Sequence, residues 1–273
     1  MLLYVSTTSR GHRGWQAATF ILAAVIVLGA PFLMTRGDDS PKGQVNSSGA
    51  GPEMSATAPA GDGGTSEHSG FVENATGSQV SYLRLSDGFT TGTATERFAR
   101  PALSLGKLYI ADYVVEHGTL EQQYLAFDMI STSSDASAET LYELYPESID
   151  ETAQKYGLLS TRGAEQWGSS VTSTYDVVRF IARLLEDDPT SPILVAMASA
   201  DPLAADGYPQ NFGTAVLPGV LGTKWGWSDD QTLHSSVSFG TDFVVAAAVT
   251  GTADDLTQLV ENQLGEVGDF SQR

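Results

Sequence analysis

Residues 35–77 constrain the fold most, because they contain almost no side chain that could build a hydrophobic core. The tract is rich in Gly, Ser, Ala, Pro and Thr, as in GQVNSSGAGPEMSATAPAGDGG at 43–64. Such a segment cannot bury enough apolar surface to offset the entropy lost on ordering, so we predict a disordered linker. The folded domain is therefore expected in residues 78–273, a length typical of one domain.

A second segment, residues 15–34, reads WQAATFILAAVIVLGAPFLM and carries no charge. This length is enough to cross a hydrocarbon core of roughly 30 Å as a helix. Arg10 and Arg13 precede the segment, and the positive-inside bias then places residues 1–14 in the cytoplasm. We predict a single-pass anchor in the cell membrane, with the bulk of the protein extracytoplasmic. A cleaved signal peptide is the alternative, although Pro31 lies just after the best cleavage position.

Charge and residue types exclude several classes of function. The formal net charge is -19, which disfavours binding to nucleic acid because that needs a basic surface. The chain has no cysteine, and therefore no disulfide and no thiolate metal site. The histidines His12, His68, His117 and His234 lack metal-binding spacing, so we predict neither a metal nor another cofactor. We interpret His117 and His234 as structural.

The stretch after the linker alternates strand-like and helix-like segments. VSYLRL, the turn-forming SDG and a Thr-rich run predict a hairpin. Helical periodicity follows from Ser104 to Gly118, in YLAFDMI, around AETLYELY and in STYDVVRFIARLLEDD. Three strand-like runs, GVLGTKWGW, TLHSSVSFG and DFVVAAAVTG, precede a final amphipathic helix in DDLTQLVENQLGEV. This order predicts an α+β fold with helices on an antiparallel sheet.

Ser104 and Lys107 form an S-x-x-K pair at the expected start of the first helix of that fold. Residues three apart lie on one helical face, so both side chains would point into one cleft. A serine hydroxyl is a weak nucleophile until a base takes its proton, and a buried lysine can be that base. The alternative is a serine that caps the helix and a lysine that remains in solvent.

Two further short motifs follow in order. The first is Ser134-Asp135-Ala136, and the second is GTKWGW at 222–227. With the S-x-x-K pair, this order resembles the penicillin-recognising serine enzymes, which carry S-x-x-K, S-D-N or S-x-N, and K-T-G. These are D-alanyl-D-alanine carboxypeptidases and transpeptidases and class A β-lactamases. The resemblance covers about residues 81–264 and implies the β-lactamase/transpeptidase-like fold.

The resemblance implies a role for each matched residue. Ser104 would be the acylated nucleophile, and Lys107 would be its general base. Ser134 would relay a proton to the leaving group, and Lys224 would hold the terminal carboxylate of the substrate. The backbone N–H groups of Ser104 and Trp227 would form the oxyanion hole. Without the resemblance, Ser134 could equally cap a helix, and Lys224 could be an exposed strand residue.

The implied substrate-binding positions are Ala136, Trp225, Gly226 and Trp227, and two of them depart from the family pattern. Ala136 replaces an asparagine and cannot make its side-chain hydrogen bonds. Trp225 replaces a Thr or Ser, and we expect its indole to crowd the cleft. The short interval between the first two motifs predicts a reduced helical subdomain. No E-x-x-L-N stretch follows, and Glu165 is only the nearest acid by order, so efficient deacylation is not expected.

Two readings of function remain open. The first is a membrane-anchored serine hydrolase that acts on the D-alanyl end of peptidoglycan peptides, or on β-lactams, through an acyl-serine. The alternative is an inactive protein of the same fold that binds ligands or serves as a scaffold in the cell envelope. The retained serines and lysines favour the first reading, whereas Ala136 and Trp225 favour the second. The expected partners are a peptidoglycan stem peptide or β-lactam, and the membrane through one N-terminal helix, but no nucleic acid.

Overall fold

The computed structural model describes residues 77–265. The predicted anchor at 15–34 and nearly all of the predicted linker at 35–77 lie outside these residues. Within 77–265, none of the helices combines the length and the apolar character needed to cross a membrane. The predicted anchor, linker and domain boundaries therefore stay predictions.

Most of the strands form one antiparallel sheet. The strands are β1 Ser78–Arg84, β2 Thr90–Gly92, β3 Arg100–Pro101, β4 Val171–Thr172, β5 Val220–Trp227, β6 Leu233–Gly240 and β7 Phe243–Thr250. The main sheet has the order β2-β1-β7-β6-β5, and β3 pairs separately with β4. The start and the end of the described chain therefore build one sheet, because β1 pairs with β7 along its whole length.

Seven α-helices accompany the strands in the described part of the chain. They are α1 Gly106–His117, α2 Leu120–Thr132, α3 Asp135–Leu144, α4 Ser148–Tyr156, α5 Thr174–Asp187, α6 Pro192–Ala198 and α7 Ala253–Leu264. Hydroxyl side chains define several helix starts. Thr119 and Thr252 form capping boxes at α2 and α7, which satisfy amide groups that the helix itself leaves free.

The sheet separates two apolar layers. On β7, Val244 and Ala246 pack into the core formed with α1 to α6, whereas Val245 and Ala247 pack into a second core with α7. This alternation follows from the two-residue period of a strand. Helix α1 lies deep in the first core and is buried on nearly all sides. The fold therefore brings the start of α1 close to the sheet, which positions the candidate site.

The predicted α+β architecture with an antiparallel sheet is confirmed. The N-terminal hairpin and the three C-terminal strands form as expected, and they join into one sheet. One difference concerns Ser104, which lies in a 3₁₀ turn at Leu103–Leu105, before α1 begins at Gly106. The shortened helical subdomain stays a prediction.

We expect the change Phe180→Ala to lower the free energy of unfolding by about 3–5 kcal/mol, because it would leave a cavity in the larger core. Phe180 has no exposed surface, and its ring meets the rings of Tyr109 and Tyr156 edge-on at 5.1 Å each. Leu159→Ala is the control, since Leu159 is 91% exposed and should change stability by less than about 0.5 kcal/mol. Urea unfolding checks both, and equal losses would contradict the expectation.

Candidate active site

Ser104 lies on a strained turn at the floor of a cleft. The preceding residue, Leu103, has φ 52°, a left-handed conformation that costs a leucine about 1–3 kcal/mol. Ser104 is only 7% exposed and lines a cleft of about 1050 Å³. Among residues 77–265, its hydroxyl has no hydrogen-bond partner. Most of the residue is thus buried, but its hydroxyl oxygen stays accessible from the cleft, where a ligand or water can contact it.

Strand β5 approaches this turn closely at Gly226. A Cβ atom at Gly226 would lie 2.9 Å from the backbone N of Ser104 and 2.9 Å from the Cβ of Leu103. Such separations are shorter than real carbon contacts, so any side chain here would push the turn and the strand apart. The glycine of the third motif therefore permits the close approach of β5 to the Ser104 turn.

Two buried lysines meet at Ser133. Lys107 and Lys224 both have no exposed surface. The Lys224 Nζ donates a hydrogen bond of 2.6 Å to the hydroxyl oxygen of Ser133, and the Lys107 Nζ lies 3.4 Å from the same oxygen. The Lys107 Nζ also donates to the Ser133 carbonyl at 2.6 Å. The structure thus brings together Lys107 and Lys224, as the resemblance implied, through Ser133.

The expected position of Ser134 needs a correction of one residue. Ser134 is the N-cap of α3, and its hydroxyl oxygen accepts hydrogen bonds from the backbone and side chain of Ser137. The serine between the lysines is Ser133, which ends α2 in the left-handed conformation at φ 57°. Ser133-Ser134-Asp135 is thus the stretch that the structure places beside the lysines. Ala136 lies one position beyond this motif, exposed on the first turn of α3.

Asp135, two residues after Ser133, binds Lys107 directly. Its Oδ1 accepts a hydrogen bond of 2.6 Å from the Lys107 Nζ, in an ion pair whose carboxylate side chain is 68% exposed. The ring of Trp167 lies 4.9 Å from the same ammonium. A carboxylate, a carbonyl and an aromatic face all favour the charged form of Lys107.

Burial disfavours the charged form of both Lys107 and Lys224. It lowers the pKa of Lys107 below the ordinary lysine value, and the neighbouring Asp135 carboxylate opposes that shift. Burial, followed by repulsion from the charge of Lys107, lowers the pKa of Lys224 well below the ordinary value. Asp135 contacts Lys107 and not Lys224, so when only one of the two lysines is protonated, we assign the positive charge to Lys107.

Trp225 does not crowd the cleft, so the expectation that it would do so is wrong. Its side chain is buried in the second core with α7, and its indole N–H donates to the carbonyl of Phe212 at 2.9 Å. The reason is the alternation of β5, since Lys224 and Trp225 point to opposite faces of the sheet. Trp225 supplies no hydroxyl, unlike the Thr or Ser of the family pattern, but its indole lies in the core and leaves the cleft open.

Trp227 lines the cleft, and its substrate-binding role stays a prediction. Its indole stacks on Tyr208 at 4.7 Å and donates to the Oδ2 of Asp206 at 3.1 Å. One residue further along, the Ser228 N–H donates a hydrogen bond to the carbonyl of Leu233 on β6. Hydrogen-bonded and non-hydrogen-bonded pairs alternate along an antiparallel ladder, so Trp227 and His234 form a non-hydrogen-bonded pair. Its own N–H then points to the free edge of β5. This orientation suits the expected oxyanion hole, which stays a prediction.

The walls of the cleft are acidic and aromatic. Carboxylates come from α3 and from three loops, and the four rings come from α3, a 3₁₀ turn, a loop and β5. The acidic lining residues are Asp135, Glu139, Glu143, Glu165, Asp206 and Asp229, and the aromatic ones are Tyr142, Trp167, Tyr208 and Trp227. Among the lining residues there is no lysine, arginine or histidine. In the part of the chain described, no group of three or more potential metal ligands is arranged to hold an ion.

The sequence reading missed Ser133, Asp135, Trp167 and Tyr208 as site residues. Ser133 and Asp135 could have been found by testing the second motif in the adjacent register. His234 also has more partners than expected: its ring nitrogens lie 2.8 Å from the Tyr208 hydroxyl and 2.8 Å from the Gly251 carbonyl. It is buried, and we regard it as a support for the Tyr208 wall.

We expect Gly226→Ala to destabilise the protein by about 1–3 kcal/mol, because the added methyl would overlap the Ser104 turn. Gly168→Ala is a matched control in the cleft wall, where an added Cβ meets nothing within 4 Å. Thermal and urea unfolding of both variants measure the difference. A Gly226→Ala variant as stable as Gly168→Ala would contradict the close approach.

Comparison with curated proteins finds a partial relative. The protein named lipoprotein LppW, from Mycobacterium tuberculosis and Mycobacterium bovis, is 28% identical over 143 residues. That match spans 45% of this chain and 46% of the relative, so it covers less than half of each protein. No protein-family model matches the chain.

Solved structures show the fold. Penicillin-binding protein D2 of Listeria monocytogenes, in its cefotaxime-bound form, is similar with a TM-score of 0.53 and 20% identity, over 70% of this chain and 96% of that one. A β-lactamase of Sphaerobacter thermophilus gives 0.57 and 17%, over 71% and 93%. A D-alanyl-D-alanine carboxypeptidase of Mycobacterium tuberculosis gives 0.54 and 14%, over 75% and 94%. The described domain therefore has the fold of the penicillin-binding proteins and class A β-lactamases.

Proposed function

We propose that this protein binds D-alanyl peptides or β-lactams in the cleft and forms an acyl bond to Ser104. The observation that carries the proposal is Ser104 on the cleft floor, three residues before Lys107, whose buried ammonium meets Lys224 at Ser133. A nucleophile, a base and a proton relay of this kind are the parts that acyl transfer needs. The fold shared with penicillin-binding proteins and β-lactamases supports the same reaction class.

In the proposed acylation, the Ser104 Oγ forms a bond to the substrate carbonyl carbon, and the amide C–N bond breaks. The hydroxyl proton passes to Lys107 in the fraction of molecules in which this lysine, despite its ion pair with Asp135, is neutral. Ser133, whose oxygen lies near both lysines, returns a proton to the leaving nitrogen. This assigns to Ser133 the relay that the sequence assigned to Ser134. The amides of Ser104 and Trp227 would stabilise the oxyanion.

Hydrolysis of the acyl bond is the slow step in this proposal. Glu165, the nearest acid by order, is exposed on the cleft wall. Among the described residues, no hydrogen bond links it to the Ser104 turn. A water molecule would therefore attack the ester without an aligned base, as expected of a penicillin-binding protein more than of a β-lactamase.

A second candidate function is ligand binding without acylation, and the ion pair of Lys107 with Asp135 favours it. A lysine held as an ammonium by a carboxylate at 2.6 Å cannot take a proton from Ser104. The protein would then be a receptor or scaffold of the same fold. The cell envelope is the proposed location in both cases, on the strength of the predicted anchor at 15–34 and of a relative named a lipoprotein.

We expect the full chain to gain the mass of one benzylpenicillin when it is incubated with that reagent at high concentration. The adduct should be absent from Ser104→Ala, because the attacking oxygen is removed. Intact-protein mass spectrometry measures both. An adduct that persists in Ser104→Ala would show that another residue reacts, and an unmodified wild type would favour the binding function.

We expect Asp135→Asn to raise the acylation rate at pH 7 by about tenfold, which is less than the full contribution of a general base, roughly 10²–10⁴-fold. Loss of the carboxylate charge removes the interaction that raises the pKa of Lys107, so more of the lysine is neutral. The rate should therefore reach half its maximum at a lower pH than in the wild type. Asp229→Asn is the control, because Asp229 lines the cleft away from Lys107. An unchanged pH profile in Asp135→Asn would contradict the assignment.

A further inference from the structure

Arg100 on β3 is a buried cation without a counterion. The residue is only 6% exposed, and its Nε and Nη1 atoms are buried with no hydrogen-bond partner among residues 77–265. Among the same residues, Arg100 forms no ion pair. A guanidinium carries N–H donors and no acceptor, so these atoms need an acceptor that the described chain does not supply. Buried polar atoms of this kind require an explanation, and a bound ion is one.

Arg100 keeps its positive charge in spite of this burial. Burial lowers the pKa of the guanidinium to about 10, and no neighbouring charge contributes to the shift. A group with this pKa is still protonated at pH 7. A buried cation is strongly destabilising unless an anion or well-placed acceptors replace its lost hydration. The fold therefore gains most from a negative charge beside Arg100.

The facing strand supplies a second unpartnered group. Arg100 pairs with Thr172 on β4, and the Ala102 N–H donates to the Ser170 carbonyl. The side chains of Arg100 and Ser170 therefore lie on one face of the strand pair, as diagonal neighbours that a long side chain can bridge. The Ser170 hydroxyl is buried and has no hydrogen-bond partner in the described chain. It approaches the hydroxyl of Tyr142, but that group donates to a backbone carbonyl at 2.7 Å.

The hydroxyl directly opposite Arg100 is already engaged. Thr172 shares its Oγ1 with the hydroxyls of Tyr109 and Thr161, at 2.7 and 2.8 Å. Ser170 is thus the hydroxyl on this face that is left to bind a further group. Unpartnered N–H donors next to an unpartnered hydroxyl form a setting in which donors exceed acceptors, and an anion accepts from both.

The surroundings of the guanidinium favour a small anion. Arg100 is not among the residues that line the Ser104 cleft, so it does not open into that large space. Its Nη2 atom is not among the buried unpartnered atoms, so one edge of the guanidinium reaches the surface and gives an ion a way in. A monatomic anion needs little more room than a water molecule.

We infer that Arg100 and Ser170 bind a small inorganic anion of the size of chloride. The guanidinium supplies the charge and N–H donors, and the Ser170 O–H donates a hydrogen bond. Strand β3 continues through Ala102 into the turn that carries Ser104, so the ion stabilises the strand pair that holds this turn. The inference goes beyond the proposed acylation and is independent of it, because neither group takes part in that reaction.

The test follows thermal unfolding of the full chain while sodium chloride replaces sodium methanesulfonate at constant ionic strength. Chloride at about ten times its dissociation constant should raise the midpoint of unfolding by about 3–6 °C, because an ion that binds only the folded state stabilises it. The line width of the chloride nuclear magnetic resonance signal measures binding directly, and the wild type should broaden it. Absence of either effect in the wild type overturns the inference.

Variants then locate the ion. Arg100→Met removes the charge at a similar side-chain length, so the chloride-dependent rise in the midpoint and the broadening should both be lost. Arg162→Met is the matched control and should keep both effects, because Arg162 is exposed on a segment that also bridges to β4. Effects in Arg100→Met that equal those of the wild type overturn the inference.

Ser170→Ala keeps the charge of Arg100 and gives the answer if Arg100→Met does not fold. The change removes one hydrogen bond to the ion, so the affinity for chloride should fall by about tenfold or more, as expected of a hydrogen bond to a charged group. The chloride dependence of the unfolding midpoint measures this affinity. An affinity in Ser170→Ala equal to that of the wild type overturns the shared site.

Discussion

Burial of two lysines around one serine is the constraint on which the rest of this site depends. Removing an ammonium from water costs several kcal/mol unless close partners replace the lost hydration. Lys107 comes from α1, Lys224 from β5 and Ser133 from the junction of α2 and α3. Three separate elements must therefore meet with their polar atoms aligned. Gly226 serves this requirement, since a larger residue would keep β5 away from the turn before α1.

Local signals in the sequence predicted the architecture. Alternating apolar residues marked the strands, and helical periodicity marked α1, α5 and α7, so the α+β order followed without knowledge of any long-range contact. The S-x-x-K pair and the third motif also placed Ser104, Lys107 and Lys224 in one site. These features are short-range or depend on motif order, which a single sequence displays directly.

The errors arose where long-range packing decides. Ser133 and Ser134 are adjacent in the sequence, and the pattern of residues alone does not show which of them contacts the lysines. Ser133 has a left-handed backbone conformation, which the types of the neighbouring residues do not predict. Trp225 belongs to a core that forms only when α7 packs on the sheet. The sequence of β5 alone therefore does not predict on which side of the sheet the indole lies. The one-residue slip in the motif also hid Asp135, the residue that most changes the expected chemistry.

Asp135 lies between the buried Lys107 and the open cleft. Its carboxylate contacts the buried Lys107, yet most of its side chain is exposed to the cleft. A cationic group of any ligand in the cleft would compete with Lys107 for the same carboxylate. Partial loss of this partner lowers the pKa of Lys107, because burial then acts with less opposition. Ligand binding and deprotonation of the base are thus linked, and the linkage is reciprocal. An asparagine at this position could not couple them, since it carries no charge for the two cations to share.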